Sequence, residues 1–119
     1  TIPINFALNY PSRTFNDSYR FDFLKHNSLT FEKPDFKKFK CIQLAYDALK
    51  LGDSYPTVLN VANDICVNAF LNDKIKFIDI PNIIEEAMNN HTSFSLNNIE
   101  SIFSVINETK KYINNRIGV

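Results

Sequence analysis

Apolar residues recur at helical spacing along most of the chain after residue 40, and this pattern predicts four helices. The predicted spans are residues 41–51, 55–72, 79–90 and 95–115. In each span the apolar positions follow i, i+3, i+4 and i+7, which places them on one face of the helix. The connections between the spans are short, and short connections between amphipathic helices are typical of a compact helical bundle.

The spacing also predicts which side chains form the core. The predicted core positions are Cys41, Leu44, Ala45, Ala48 and Leu49 in the first span, Val58, Val61, Ala62, Ile65, Cys66, Ala69 and Phe70 in the second, Ile80, Ile83, Ile84, Ala87 and Met88 in the third, and Ile99, Ile102, Phe103, Ile106 and Ile113 in the fourth. The second set is wide and rich in small residues, which let neighbouring helices approach closely. We therefore expect the second helix to be central.

Helix-end signals support these boundaries. Ser54, Asp79 and Ser95 stand where an N-cap is expected, because their side-chain oxygens can accept backbone N–H groups of the first turn. The two glycines of the chain, Gly52 and Gly118, follow the ends of the first and last spans, as residues that leave a helix often do.

Residues 1–35 have a different character. Residues 1–11 could form a short helix, and residues 12–34 contain turn formers and isolated aromatics without helical periodicity. We interpret this stretch as an extended connector whose aromatics, Phe15, Tyr19, Phe21 and Phe23, attach it to a surface, with a short strand at 29–31. The predicted fold is all-α: a compact, four-helix-bundle-like domain, residues 36–119, preceded by an extended linker, residues 1–35, with a short N-terminal helix.

Charge and hydropathy exclude several classes of partner. The formal net charge is +0, which provides no electrostatic attraction for nucleic acid or an anionic membrane. No apolar run approaches the length of a membrane span. Lysines at positions 37, 38 and 40 alternate with Phe36 and Phe39, and we interpret the lysines as solvated and the two aromatics as core. We expect neither a nucleic-acid nor a membrane partner.

The residues that carry chemistry are sparse. Cys41 and Cys66 lie in apolar helical stretches and are interpreted as buried free thiols in a reducing compartment, with a disulfide as the alternative. His26 and His91 lack metal-ligand spacing, and His91 follows a helix C-terminus, where an imidazolium is favoured. A phosphate-binding loop needs several glycines, and the chain has two.

Two amides in the most apolar helix need partners if they are buried. Asn60 and Asn63 share one side of that helix, and we expect them to bond backbone groups of the connector. We interpret the cysteines, histidines and asparagines named above as structural. The sequence therefore assigns no catalytic, cofactor-binding or metal-binding residue to this chain.

Several stretches occur in the order typical of one enzyme family. They are Ile2-Pro3-Ile4 with Ala7-Leu8-Asn9-Tyr10-Pro11, Leu29-Thr30-Phe31-Glu32 with Pro34-Asp35-Phe36, Cys41 through Ala45-Tyr46, Leu59-Asn60-Val61-Ala62-Asn63-Asp64 with Ala69-Phe70-Leu71, and Ile75-Lys76-Phe77 with Asp79-Ile80. In these stretches the chain resembles the C-terminal third of the 1-deoxy-D-xylulose 5-phosphate reductoisomerases. The family tends to have Trp, Pro and Glu where Tyr10, Lys40 and Asp64 stand.

The resemblance implies an enzyme that rearranges and reduces 1-deoxy-D-xylulose 5-phosphate to 2-C-methyl-D-erythritol 4-phosphate, a step of non-mevalonate isoprenoid biosynthesis. It implies NADPH and Mg²⁺ or Mn²⁺ as cofactors, held by N-terminal and central domains that precede the residues matched here. It further implies a homodimer located in the bacterial cytoplasm or in a plastid. It assigns residues 1–35 to the end of the central domain and a linker, and residues 36–119 to the C-terminal helical domain. No site residue of the family falls on this chain, so we expect it to be inactive alone and to brace the two other domains.

The chain begins at Thr1 without an initiator methionine, so we expect it to be a piece of a longer protein. The alternative interpretation is a free-standing helical interaction module whose groove receives a partner peptide.

Overall fold

A computed structural model describes residues 2–14 and 21–118, and these contain five α-helices and no β-strand. The helices are α1 (Ile2–Asn9), α2 (Lys40–Leu51), α3 (Tyr55–Leu71), α4 (Asp79–Asn90) and α5 (Ile99–Ile117). The predicted all-α class, with four helices after a short N-terminal one, is confirmed.

The chain divides into two compact units. Thr1–Lys33 contains α1, and Pro34–Val119 contains the other four helices. The assignment of residues 1–35 to the end of a central domain and a linker, and of 36–119 to a C-terminal domain of a larger enzyme, stays a prediction.

The core of the second unit lies around α3, which contacts α2, α4 and α5. Small side chains on α3 permit this, since Ala62 and Cys66 are fully buried and Ala69 nearly so. The predicted core positions of α4 are all buried: Ile80, Ile83, Ile84, Ala87 and Met88. The central position of α3 and the core faces of α3 and α4 are therefore as the spacing predicts.

The predicted core face of α2 is wrong in part. Leu44 and Ala48 are buried, whereas Cys41, Ala45 and Leu49 are exposed. The helix carries apolar residues around most of its circumference, so periodicity could not indicate which of them face the other helices of this unit. Phe36 and Phe39, predicted as core, are also exposed.

The core face of α5 is rotated from the prediction. Val105, Thr109 and Ile113, spaced at i, i+4 and i+8, are the buried residues, while Ile99 and Phe103 are exposed. Val105 and Thr109 are not among the predicted core residues, and the Thr109 methyl group can pack in a core as an apolar group does.

The start of α5 also differs from the prediction. Asn98, not Ser95, is the N-cap, and its Oδ1 accepts the backbone N–H of Ser101 at 2.8 Å. The Ser101 hydroxyl lies 3.4 Å from the backbone N of Asn98, which completes a capping box. Asp79 is the first residue of α4 rather than its cap, and its carboxylate accepts the backbone N–H of Lys76 at 2.9 Å.

Both glycines mark helix ends as predicted. Gly52 and Gly118 have φ of +70° and +75°, a region that side chains with a Cβ disfavour. The Gly52 N–H closes α2 by donating to the carbonyl of Ala48 at 3.0 Å.

The first unit contains α1 and turns. The predicted strand at 29–31 is wrong, since these residues have no strand pairing and Leu29 and Phe31 are 64% and 88% exposed. Phe15 and Tyr19 of the predicted connector lie outside the described residues. Within the described ranges, no helix is long and apolar enough to cross a membrane.

Ile113→Ala should destabilise the second unit by about 2–5 kcal/mol, because it opens a cavity beneath a fully buried side chain. Ile99→Ala is the matched control, the same change on the same helix at a position that is 61% exposed. It should cost less than about 1 kcal/mol. Urea unfolding followed by far-ultraviolet circular dichroism measures both, and equal losses would contradict the α5 core face described here.

Candidate functional site

A cleft of about 430 Å³ lies where the segment between α4 and α5 passes the beginning of α3. It contains more polar side chains than the rest of the bundle core and is the candidate site of the chain. Its walls are formed by Val58, Ala87, Asn90, His91, Thr92, Ser93, Phe94, Glu108, Thr109 and Tyr112.

Ser54 and His91 form the polar centre beside this cleft. The Ser54 Oγ lies 2.7 Å from the His91 Nε2 and accepts the backbone N–H of Phe94 at 3.3 Å. Ser54 is fully buried, and His91 is half-buried. The Tyr55 ring meets the His91 ring edge-on with centroids 5.3 Å apart, and its hydroxyl reaches the His91 carbonyl at 3.5 Å.

Ser54 occupies the N-cap position of α3, as the sequence predicts, but its side chain caps no N–H group of that helix. Its hydroxyl is directed instead to His91 and Phe94, in the segment that follows α4. One serine therefore attaches that segment to the start of the central helix.

Burial lowers the pKa of His91 below its ordinary value, and the negative charge of Glu108 opposes this shift in part. A neutral imidazole can accept the Ser54 O–H at Nε2, which leaves the serine oxygen free to accept the Phe94 N–H. The expectation of an imidazolium at the end of α4 is wrong, because the cost of desolvating the charge exceeds the favourable effect of the helix end.

A serine at hydrogen-bond distance from a histidine is also the arrangement that activates a nucleophile. Here the Ser54 oxygen has no exposed surface, and its lone pairs already face the Phe94 N–H. An electrophilic carbonyl could not approach it without opening the bundle. The pair therefore holds the segment in place, and its geometry does not support catalysis by Ser54.

The described residues do not fit a divalent metal or NADPH. Within residues 2–14 and 21–118, no group of three or more His, Cys, Asp or Glu side chains could hold a metal ion. The glycines that would let a backbone approach a pyrophosphate are confined to the ends of α2 and α5. The prediction that this chain contributes no catalytic, cofactor or metal residue stays a prediction.

Other residues singled out in the sequence are placed as follows. Cys66 is a buried free thiol whose pKa is raised to about 11, first by burial and then by the nearby Cys41 thiolate. Cys41 is a free thiol too, but it is exposed, so its predicted burial is wrong. Asn60 is exposed and Asn63 half-buried, so water can satisfy amides that were expected to need protein partners.

Sequence reasoning missed the Ser54–His91 pair. The two residues are 37 positions apart, and neither belongs to a motif that joins them. A serine before a helix is ordinarily interpreted as a cap, and only the packing of the α4–α5 segment against α3 shows its second use.

Two ion pairs connect α4 to its neighbours. Arg116 binds Glu86 through two nitrogens, at 2.7 Å and 3.3 Å, and Lys40 pairs with Glu85. The Arg116 guanidinium lowers the pKa of the Glu86 carboxyl. All four side chains are partly exposed, so these pairs position helix ends more than they stabilise the fold.

Ser54→Ala should lower the free energy of unfolding by about 1–3 kcal/mol, because it leaves the Phe94 N–H and the His91 ring without their partner. Ser95→Ala, at an exposed position that does not cap α5, should change it by less than about 0.5 kcal/mol. Urea denaturation of both variants checks this pair, and a larger loss for Ser95→Ala would restore it as the cap.

The lowered pKa of His91 predicts that stability falls with acidity. Below the unfolded-state value of about 6.5, the unfolded chain binds a proton that the folded chain does not, so unfolding becomes more favourable until the folded pKa is reached. Above pH 7 this contribution is constant. His91→Gln should remove this part of the pH dependence between pH 7 and 5, and His26→Gln, at an exposed position of the first unit, should retain it.

The measurement is the free energy of unfolding against pH for the wild type and both variants. The difference between the wild type and His91→Gln isolates the histidine from the carboxylates, which titrate in all three proteins. Parallel curves for the wild type and His91→Gln would contradict the neutral imidazole.

Comparison with known proteins identifies the family. The model of the DXP reductoisomerase C-terminal domain matches residues 1–112. The 1-deoxy-D-xylulose 5-phosphate reductoisomerase of Clostridium perfringens is 49% identical over 115 residues, which are 94% of this chain and 29% of that protein. The enzyme of Thermoanaerobacter sp. is 47% identical over 113 residues, 94% of this chain and 30% of that protein.

A solved structure is similar over the same length. The 1-deoxy-D-xylulose 5-phosphate reductoisomerase from Zymomonas mobilis in complex with NADPH matches with a TM-score of 0.88 and 33% identity, over 99% of this chain and 31% of that one. The chain thus spans about three-tenths of the length of the relatives it matches. It belongs to the 1-deoxy-D-xylulose 5-phosphate reductoisomerase family, where it corresponds to the C-terminal domain.

Proposed function

We propose that this chain serves as the C-terminal structural domain of a reductoisomerase that converts 1-deoxy-D-xylulose 5-phosphate to 2-C-methyl-D-erythritol 4-phosphate with NADPH and a divalent metal ion. The observation that carries the proposal is the match to the family's C-terminal domain over residues 1–112. The similar Zymomonas enzyme has been solved with NADPH, which supports that nucleotide as the reductant.

In this proposal the chemistry belongs to polypeptide outside the chain. The described residues offer no cluster that could hold the metal ion, and their buried serine and histidine are occupied with each other. We infer that the N-terminal and central domains supply the nicotinamide, metal and substrate sites. The same reasoning by family gives a homodimeric enzyme in the bacterial cytoplasm, or in a plastid if the source is eukaryotic.

The role we propose for the chain itself is to brace those domains. A brace must be rigid, and three contacts between separate parts of the bundle favour rigidity. They are Ser54 to His91, Arg116 to Glu86 and Lys40 to Glu85. A brace must also present surface to what it supports. The first unit has apolar side chains that are well exposed, among them Leu8 at 81%, Leu24 at 92% and Phe31 at 88%.

The alternative is a free-standing helical module that binds a peptide of another protein. The exposed apolar side chains on the outer side of α2 would fit that role as well. The family match favours the first proposal, because a member of this family has further polypeptide that could cover those side chains. In the alternative, the chain would bind a peptide of another protein in the absence of any other reductoisomerase domain.

Removal of residues 34–119 from a full-length reductoisomerase that carries this domain tests the bracing role. We expect kcat/KM to fall by about 100-fold or more, since a small misplacement of catalytic groups has an effect of that size. NADPH binding, measured by fluorescence titration, should change far less, because the nucleotide site lies in another domain. Full turnover by the shortened enzyme would rule out bracing.

Ile113→Ala in the full-length enzyme serves as a second variant in case the shortened protein does not fold. Its activity should be lost on heating together with the helical unit's own unfolding, at a lower temperature than in the wild type. Ile99→Ala is the matched control and should keep the wild-type temperature profile.

A further inference from the structure

Helix α2 has a second apolar face in addition to the one that packs on the bundle. Leu44 and Ala48 are buried against the other helices. Ile42, Ala45, Tyr46 and Leu49, which we call the α2 outer stripe, follow a spacing of i, i+3, i+4 and i+7 on the outer side. Tyr46 and Leu49 are 62% and 74% exposed.

The outer stripe forms an open apolar groove. The groove has a volume of about 520 Å³ and is lined by Cys41, Ile42, Ala45, Tyr46 and Leu49, none of which is charged. The largest apolar patch on the surface of a soluble protein is often a site of interaction. The absence of charge in the lining favours an apolar protein surface over a nucleic acid or a lipid headgroup.

The other outward side of the same helix is an ordinary solvated surface. Gln43 and Asp47 are joined there by a side-chain hydrogen bond of 2.8 Å, and Lys50 is exposed beside them. One helix thus has a polar outward side and an apolar outward side. This asymmetry indicates that only the apolar side meets another surface, and it supplies a control within the same helix.

The lengths of the relatives indicate what covers the stripe. This chain corresponds to 29–31% of the enzymes it matches, so more than two-thirds of such a polypeptide lies outside it. Polypeptide on the same chain has a high effective concentration at the domain, which favours it over a separate partner. We propose that the α2 outer stripe is the surface through which this domain docks on the part of the reductoisomerase chain outside residues 1–119.

The proposal rests on the proposed function, since it names the contact surface of the brace. Cys41 lines the groove as a natural probe, and its thiol is free and exposed in this chain. Lys50→Cys places a reference thiol on the polar side of α2. Cys66 is fully buried, so it should stay unreactive in every sample and report any unfolding.

The experiment is alkylation with N-ethylmaleimide at pH 8, followed by peptide mass spectrometry, for the 119-residue chain and for a full-length reductoisomerase that carries it. In the 119-residue chain, partial burial raises the pKa of the Cys41 thiol. Cys41 should therefore react more slowly than the thiol introduced by K50C, but only by a few-fold. In the full-length enzyme, Cys41 should react at least about tenfold more slowly than the K50C thiol, because docking must open before it can react.

Three outcomes would overturn the proposal. The same few-fold difference in the full-length enzyme would mean that the stripe is solvated there. Alkylation of Cys41 that is equally slow in the 119-residue chain would mean that residues of this chain cover it. Protection that weakens on dilution of the full-length enzyme would mean that a second copy covers it.

Leu49→Glu adds a variant that does not depend on loss of folding. Leu49 is 74% exposed, so this change should leave the urea midpoint of unfolding of the 119-residue chain nearly unchanged. In the full-length enzyme it should raise the alkylation rate of Cys41 toward that of the K50C thiol. Lys50→Glu is the matched control, and it should leave Cys41 protected.

The outcomes separate this proposal from the proposed function. Suppose that Cys41 is reactive in an enzyme that needs residues 34–119 for turnover. The bracing role would then stand, but α2 would not be the docking surface. If Cys41 is protected in an enzyme that works without those residues, docking through α2 would be supported and the bracing role would be ruled out.

Discussion

Close packing around α3 is the constraint on which the bundle depends. This helix contacts α2, α4 and α5, and it does so through side chains small enough to admit each neighbour. Ala62 and Cys66 have no exposed surface, and Val58 has almost none. Protein cores are packed as densely as crystals of small molecules, so a larger side chain at either small position would displace a helix rather than fill a void.

The position of α3 also determines where the polar interactions lie. Because Ser54 stands at the start of that helix, its buried hydroxyl meets the segment that leaves α4 and satisfies the Phe94 N–H there. An unpaired N–H in that place would cost free energy comparable to a lost hydrogen bond. The neutral His91 completes the arrangement, and the resulting connection uses the two groups that would otherwise be the best candidates for chemistry.

The sequence predicted correctly those helices whose apolar side chains all lie on one face. Apolar side chains of α4 lie on one face only, so periodicity alone identified its whole buried set. In α2 and α5, apolar side chains occur on more than one side, and periodicity could not rank them. Local cap signals were less reliable. Asn98 caps α5 in place of Ser95, Asp79 bonds the turn before α4, and the Ser54 hydroxyl meets the α4–α5 segment instead of α3.

The candidate site was less predictable than the helices. The Ser54–His91 contact joins residues that only the tertiary fold brings together, and the lowered pKa of His91 follows from burial that no local pattern reports. The family resemblance, in contrast, came from runs of residues in a fixed order. Such runs reflect both the fold and its surroundings in the enzyme, so they could identify the family even where core positions were assigned wrongly.

The errors in the predicted core share a physical origin. Leu49 and Phe103 follow helical spacing as core residues do, yet they are 74% and 57% exposed in this chain. Leucine and phenylalanine side chains that are mostly exposed contribute little to the stability of the bundle, and exposed apolar surface promotes association. In a protein whose relatives are more than three times as long, the same side chains can be core residues of an interface between domains. If the α2 outer stripe docks as proposed, the periodicity describes burial in the whole enzyme and not in the 119-residue chain alone.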